Sequence, residues 1–152
     1  MAYAGRWPGV PPDGLSKYRL PRGFQKSLEL FNQHRAAAVT NGEPLVVVEG
    51  FFACLHIWQA GHRRVVSIMG SMLSKAQEDR IAQMAGTNGQ VLLLFDEDVA
   101  GRKGRSEAQE RLSKRVSVDV IRLPEGQQPD SLKADKLLEL IQRHAAREEV
   151  AA

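Results

Sequence analysis

The sequence contains a single cysteine, Cys54. No intramolecular disulfide can form, and a reducing, cytoplasmic setting is the expectation. Histidine is sparse too. His34, His56, His62 and His144 are scattered without paired-ligand spacing, which argues against a Cys/His zinc site. No apolar run approaches the roughly 18 residues of a membrane-spanning helix, so no membrane is expected among the partners. The first fourteen residues, MAYAGRWPGVPPDG, lack an apolar core segment and are not expected to act as a signal peptide. No Gly-rich phosphate fingerprint follows the first strand-like run, which disfavours a phosphate-binding enzyme of an unrelated doubly wound family.

What is present fits one soluble globular domain. The chain has 152 residues, 43% hydrophobic and 26% charged, enough to bury a core without staples. The net charge of +3 is unevenly placed. Residues 1–40 carry six Lys/Arg against Asp13 and Glu29, a balance of +4, and residues 99–115 carry six against Glu107 and Glu110, again +4. The remainder therefore sums to −5. Two basic segments around an acidic centre suit a polyanion meeting a metal site, although charge runs are also the ordinary dress of a solvated surface.

The acidic centre contains VLLLFDEDVAGRKG at residues 91–104. A short apolar run of this kind reads as a strand buried on both faces. Clustered carboxylates at its tip repel and are costly to desolvate, and a divalent cation is the usual reason to tolerate them. Asp96 and Asp98, two apart, point to one side in extended geometry, and Glu97 to the other. A solvated acidic loop fits the same residues.

Along the chain, residues 1–16 are dense in Gly and Pro and read as an irregular leader. Residues 17–43 form a basic pre-core segment, with a helix expected over 25–39 that ends at Asn41-Gly42. Residues 44–150 then alternate strands and helices. Strands are expected at 45–48, 65–68, 91–95 and 118–123, and helices at 51–60, from a Ser74/Gln77 capping box to 85, and from 100 or 101 to 115. A last helix is expected to be capped by Ser131, and His62, Arg63 and Arg64 are expected to form a solvent-facing turn. This order implies an α/β fold, an approximately four-stranded parallel sheet flanked by helices, with ligands at the carboxyl ends of the strands. Glu49 ends the first strand, and Asp96 and Asp98 end the third. The three converge if those strands are neighbours.

These segments resemble a TOPRIM domain, whose pattern is a glutamate after one strand and Asp-x-Asp after a later one: here VVVEG with Glu49 and LLFDED with Asp96 and Asp98. The details are most similar to the catalytic core of bacterial DnaG-type primases. EGFFA at 49–53, IMGSMLS at 68–74, VAGRKG at 99–104 and LPEGQQPD at 123–130 follow the primase motifs in order. Lys17-Tyr18 and GFQKSLELF at 23–31 match the segment ahead of them, with Lys26 on the basic position. The resemblance covers residues 17–133. Two positions depart from it: Ala53 and Gln128 stand where the family has aspartate.

The resemblance implies a TOPRIM-like Rossmann-type fold and a metal-dependent enzyme, a primase-like nucleotidyltransferase making primers on single-stranded DNA. Its Mg²⁺ (or Mn²⁺) would be held by Glu49, Asp96 and Asp98 with Asp130 nearby. Lys26, Arg102, Lys103 and Arg105 would contact phosphates of nucleotide or template. The implied partners are single-stranded DNA or RNA, nucleoside triphosphates, and a helicase or other replication protein. Two alternatives stay open: a weakened, non-catalytic nucleic-acid-binding module, favoured by Ala53 and Gln128, and a Mg²⁺-dependent nuclease. Nothing in the sequence offers a covalent nucleophile, since Tyr3 and Tyr18 lie ahead of the core, so a topoisomerase is not expected. The primases' zinc-binding and helicase-binding modules are not expected in a chain of this length.

Overall fold

The computed structural model describes residues 4–149. Tyr3, and Val150 at the end of the expected core, lie outside them. The leader is not irregular throughout. Gly5–Arg6 (β1) pairs antiparallel with Tyr18–Arg19 (β2), with Gly5 opposite Arg19 and Arg6 opposite Tyr18. The Gly/Pro-rich stretch between them is the connection that lets the chain return.

The helix expected over residues 25–39 is replaced by a 3-10 turn at Lys26–Leu28 and a short helix Gln33–Ala37 (α1). Tertiary pairing overrides local propensity here. The Phe31 N–H donates to Ser67 O at 2.9 Å and Ser67 N–H donates back to Phe31 O at 3.2 Å. Asn32 then turns left-handed at φ 66°, a conformation Asn tolerates, and its Nδ2 donates to Val65 O at 2.9 Å.

The core follows the alternation: Leu45–Val48 (β3), Phe51–Ala60 (α2), Val65–Ser67 (β4), Lys75–Ala85 (α3), Gln90–Leu93 (β5), Val99–Leu112 (α4), Ser117–Val120 (β6) and Ala134–Glu149 (α5). The sheet order is β4-β3-β5-β6, and every pairing in it is parallel. Alternate residues of β3 and β5 face opposite layers. Val47 and Leu93 pack with Ile81, Ala108 and Leu112 of α3 and α4. Val46, Val48 and Leu92 pack with Cys54, Ile57, Leu137 and Ile141 of α2 and α5. Each fully buried aliphatic side chain contributes about 1.5–3 kcal/mol, so a sheet covered on both faces is the stable arrangement for these apolar runs.

Helix α3 starts where the sequence indicates. Ser74 Oγ accepts from Gln77 N–H, and Gln77 Oε1 accepts from Ser74 N–H, a reciprocal capping box. Two expectations change. Ser131 sits in a 3-10 turn, Pro129–Ser131, and α5 begins three residues later, at Ala134. The 62–64 turn is not solvent-facing as a whole. His62 is buried with Nε2 3.1 Å from Pro44 O, and the Arg64 guanidinium donates to Glu43 O and Met84 O. Only Arg63 stays outside, over the Trp58 ring.

Candidate metal and nucleic-acid site

Because β3 and β5 are adjacent, Glu49 and Asp96 leave the sheet side by side at its carboxyl edge. The Asp96 N–H donates to Glu49 Oε1 at 2.9 Å. The chain entering α4 crosses so close that a Cβ on Gly101 would lie 2.6 Å from Glu49 Oε1 and 2.2 Å from Asp96 O. Asp98 is exposed and caps α4, its Oδ1 accepting from Gly101 N–H at 2.7 Å. Glu49, Asp96 and Asp130 line a cavity of about 250 Å³. The basic side of that cavity comes from Arg6 of the leader and Lys17 of the pre-core segment, with Tyr18 beside them.

Burial pushes the Glu49 carboxyl up to about 7; the Asp96 amide opposes this, and the charges of Asp96 and Asp98 add to it. Burial, then the neighbouring Asp98 and Asp130, push Asp96 up to about 6, partly offset by Lys17. Two carboxyls held this way are stabilised in their ionised form by a nearby cation. Their donor set is all oxygen, which suits Mg²⁺ or Mn²⁺. Among the described residues no three His, Cys, Asp or Glu side chains form a ready metal cage. Mg²⁺ needs none, since it usually takes one or two carboxylates and completes its shell with water and phosphate. Glu49 and Asp96 are the residues that fit this role, with Asp98 and Asp130 flanking them.

The other basic residues are dispersed. Lys26 is exposed, with Nζ 3.4 Å from Met69 O, in a separate cavity of about 220 Å³ beside Gly70 and Ser71. Arg102 Nη1 donates to Glu97 O at 3.1 Å, and Lys103 is exposed on α4. Arg105 does not face a phosphate path. It is buried against Glu97 as an ion pair, because the residue opposite the two aspartates turns inward and needs a counter-charge. Sequence reasoning counted Arg6 only as part of the basic segment 1–40 and did not place it at the site. It placed Lys17 and Tyr18 only as a motif step, since no local pattern tells that a two-residue strand will fold back over the sheet edge.

A family model described as Toprim-like matches residues 46–133. This chain belongs to the Toprim-like family. DNA primase of Staphylococcus aureus (strain COL) is 32% identical to it over 133 residues, covering 86% of this chain and 22% of that protein. The Toprim-like chain thus spans about a fifth of the length of the curated relatives it matches. The crystal structure of the Aquifex aeolicus primase zinc-binding and RNA polymerase domains superposes with a TM-score of 0.77 at 30% identity, over 93% of this chain and 36% of that one. A DnaG primase catalytic domain bound to ssDNA superposes with a TM-score of 0.72 at 25% identity, over 93% of this chain and 48% of that one.

Two features set this Toprim-like site apart from the motifs it resembles. Ala53 and Gln128 both line the cavity that holds Glu49 and Asp96. Neither can supply negative charge, so the acidic floor is narrower than the aspartates of the pattern would make it.

Proposed function

We propose that this chain is the metal-binding half of a primase-type centre, acting in nucleotidyl transfer on single-stranded DNA. The observation that carries the reading is the pairing of Glu49 with Asp96 at the carboxyl edge of two neighbouring parallel strands, joined by the Asp96 amide. The relatives, DNA primases and a DnaG primase catalytic domain bound to ssDNA, support the substrate class. A bound Mg²⁺ or Mn²⁺ would supply charge neutralisation for phosphates and a template for in-line attack. Glu49 and Asp96 would hold it, Asp98 would hold the start of α4 against it, and Lys17 and Arg6 would attract phosphate from the opposite wall. Lys103 and Lys26, both exposed, would steer more distant phosphates by charge. Nucleoside triphosphates are the implied co-substrate, and a replication protein such as a helicase the implied partner.

The test is primer synthesis on a single-stranded DNA template with Mg²⁺ or Mn²⁺, wild type beside Asp96→Asn. Metal-dependent product in the wild type alone sustains the reading. Cleavage of the template instead would assign the attacking group to water and make the protein a nuclease. A second reading, a binding module without catalysis, is favoured by Ala53 and Gln128 on the cavity wall. It wins if the wild type gives neither product while still shifting single-stranded DNA at low salt, with the steep salt dependence of phosphate contacts.

A further inference from the structure

We infer that Phe52, with Arg6 laid over its ring, is a stacking platform for one nucleobase at the rim of the carboxylate cavity. The inference rests on the single-strand substrate proposed above and names the side chain that meets a base. Phe52 is the second residue of α2 and stays 41% exposed, between Phe51 at 9% and Ala53 at 5%. Phe51, not Phe52, makes the inward aromatic contacts of α2 with β2 and with Phe31. The Phe51 ring lies 5.0 Å from Tyr18 on one side and 5.0 Å from Phe31 on the other. Phe52 extends the same cluster outward, with Tyr18 at 6.5 Å and the Arg6 guanidinium carbon 4.4 Å from its centroid.

Phe52 and Arg6 share a cavity with Glu49, Asp96 and the exposed Lys17. An aromatic face beside cations, next to the carboxylates, is the arrangement that takes single-stranded nucleic acid: the Arg6–Phe52 stack receives the base while Lys17 receives its phosphate. An Arg guanidinium also stacks, so the Arg6–Phe52 pair presents a wider surface than either side chain alone. Every base has a π-face, so the platform favours no particular sequence. The base could belong to the strand or to a free nucleotide.

The test compares binding of a labelled thymidine oligomer with an abasic oligomer of equal length and charge, using the full chain at low salt. A preference of about tenfold for the base-bearing strand is expected, within the range one stacked base gives. Phe52→Leu keeps an apolar side chain and is expected to bring the two strands to parity, with Mn²⁺ affinity unchanged. Phe52→Trp is expected to keep or raise the preference. Equal binding of the two oligomers by the wild type, which needs no variant, overturns the platform, as does a preference that survives Phe52→Leu. Competition by ATP but not by inorganic triphosphate assigns the base to a free nucleotide, and competition by neither assigns it to the strand; both sustain the platform. Failure of the metal reading shows separately, as absent Mn²⁺ binding in the wild type.

Discussion

Arg105 and Glu97 meet as an ion pair in the interior, 5% and 6% exposed, with Nη2 3.4 Å from Oε2 beside the closer Nη1–Oε1 contact. The pair joins three segments. Glu97 N–H donates to Gln127 O at 3.0 Å, and Glu97 O accepts from Gly126 N–H at 3.0 Å, so the acidic loop, α4 and the 124–128 loop are tied together. Arg105→Met would leave a buried carboxylate without its counter-charge, at a cost of about 3–5 kcal/mol. The double variant Glu97→Met/Arg105→Met removes both charges and is expected to recover most of that loss, since an apolar pair of similar volume often replaces a buried ion pair at little cost. Thermal melts of the three proteins check this. Equal melting temperatures for the single variant and the wild type would mean that water reaches the pair.

Stability without metal should fall as pH rises through the range in which the site ionises. Glu49 at about 7 and Asp96 at about 6 lie above their ordinary 4.5 and 3.8. The folded state binds these protons more tightly than the unfolded state, so their contribution is fully present below about pH 4 and is lost as pH climbs through 6 and 7. Hydrogen bonds from Lys75 and Arg115 hold Asp79 below its ordinary value, which has the opposite sign but acts only at more acidic pH. In EDTA, these two carboxyls are expected to lower the melting temperature between about pH 4 and pH 7, against an opposing rise from His62, which burial holds below its ordinary 6.5. Glu49→Gln should flatten that decline. A slope unchanged in Glu49→Gln would place the titrating group elsewhere.

Divalent cation should reverse the same trend. Metal and proton compete for the same oxygens, so Mn²⁺ affinity is expected to rise with pH through 6 to 7 and then level. Titration calorimetry at several pH values reads this directly. Asp96→Asn should weaken Mn²⁺ binding severely, and Asp130→Asn only slightly, since Asp130 is exposed on the cavity wall. A larger loss in Asp130→Asn than in Asp96→Asn would move the ion toward the loop.

Much of this architecture is legible in the sequence because its signals are strong and local. The β-branched run at Leu45–Val48, the Ser74/Gln77 box and the short apolar run before Asp96 each act within a few residues. Once the alternation implies a parallel sheet, the position of Glu49 and Asp96 at one edge follows from topology. What escapes is decided by distant partners. Phe31 gives up a helix because Ser67 offers two backbone hydrogen bonds. The Gly/Pro-rich leader hides a hairpin whose strands are two residues each, below any periodicity. Arg105 reads as one more basic residue on a phosphate-facing helix. Only the three-dimensional fold shows that Glu97, the odd member of DED, lies inside and claims it.

Gly101 and Gly104, one turn apart on α4, separate packing from metal binding. In an open helix, replacing Gly by Ala gains about 1 kcal/mol from propensity. Here both positions are closed. A Cβ on Gly104 would lie 1.8 Å from Ser71 O, and one on Gly101 2.2 Å from Asp96 O and 2.6 Å from Glu49 Oε1. The nearest obstacle at each position is a backbone oxygen, Ser71 O or Asp96 O, which cannot swing aside as a side chain end does. Overpacking of this kind costs about 1–3 kcal/mol or more, so the clash outweighs the propensity gain and both alanine variants are expected to melt lower. Their Mn²⁺ affinities should differ. Gly104→Ala pushes on the 68–74 turn and should leave the ion's ligands in place. Gly101→Ala pushes directly on Glu49 and on the Asp96 peptide, and should lower Mn²⁺ affinity by an order of magnitude, about 1.4 kcal/mol. If Gly101→Ala binds Mn²⁺ as the wild type does, Glu49 and the Asp96 loop do not hold the ion.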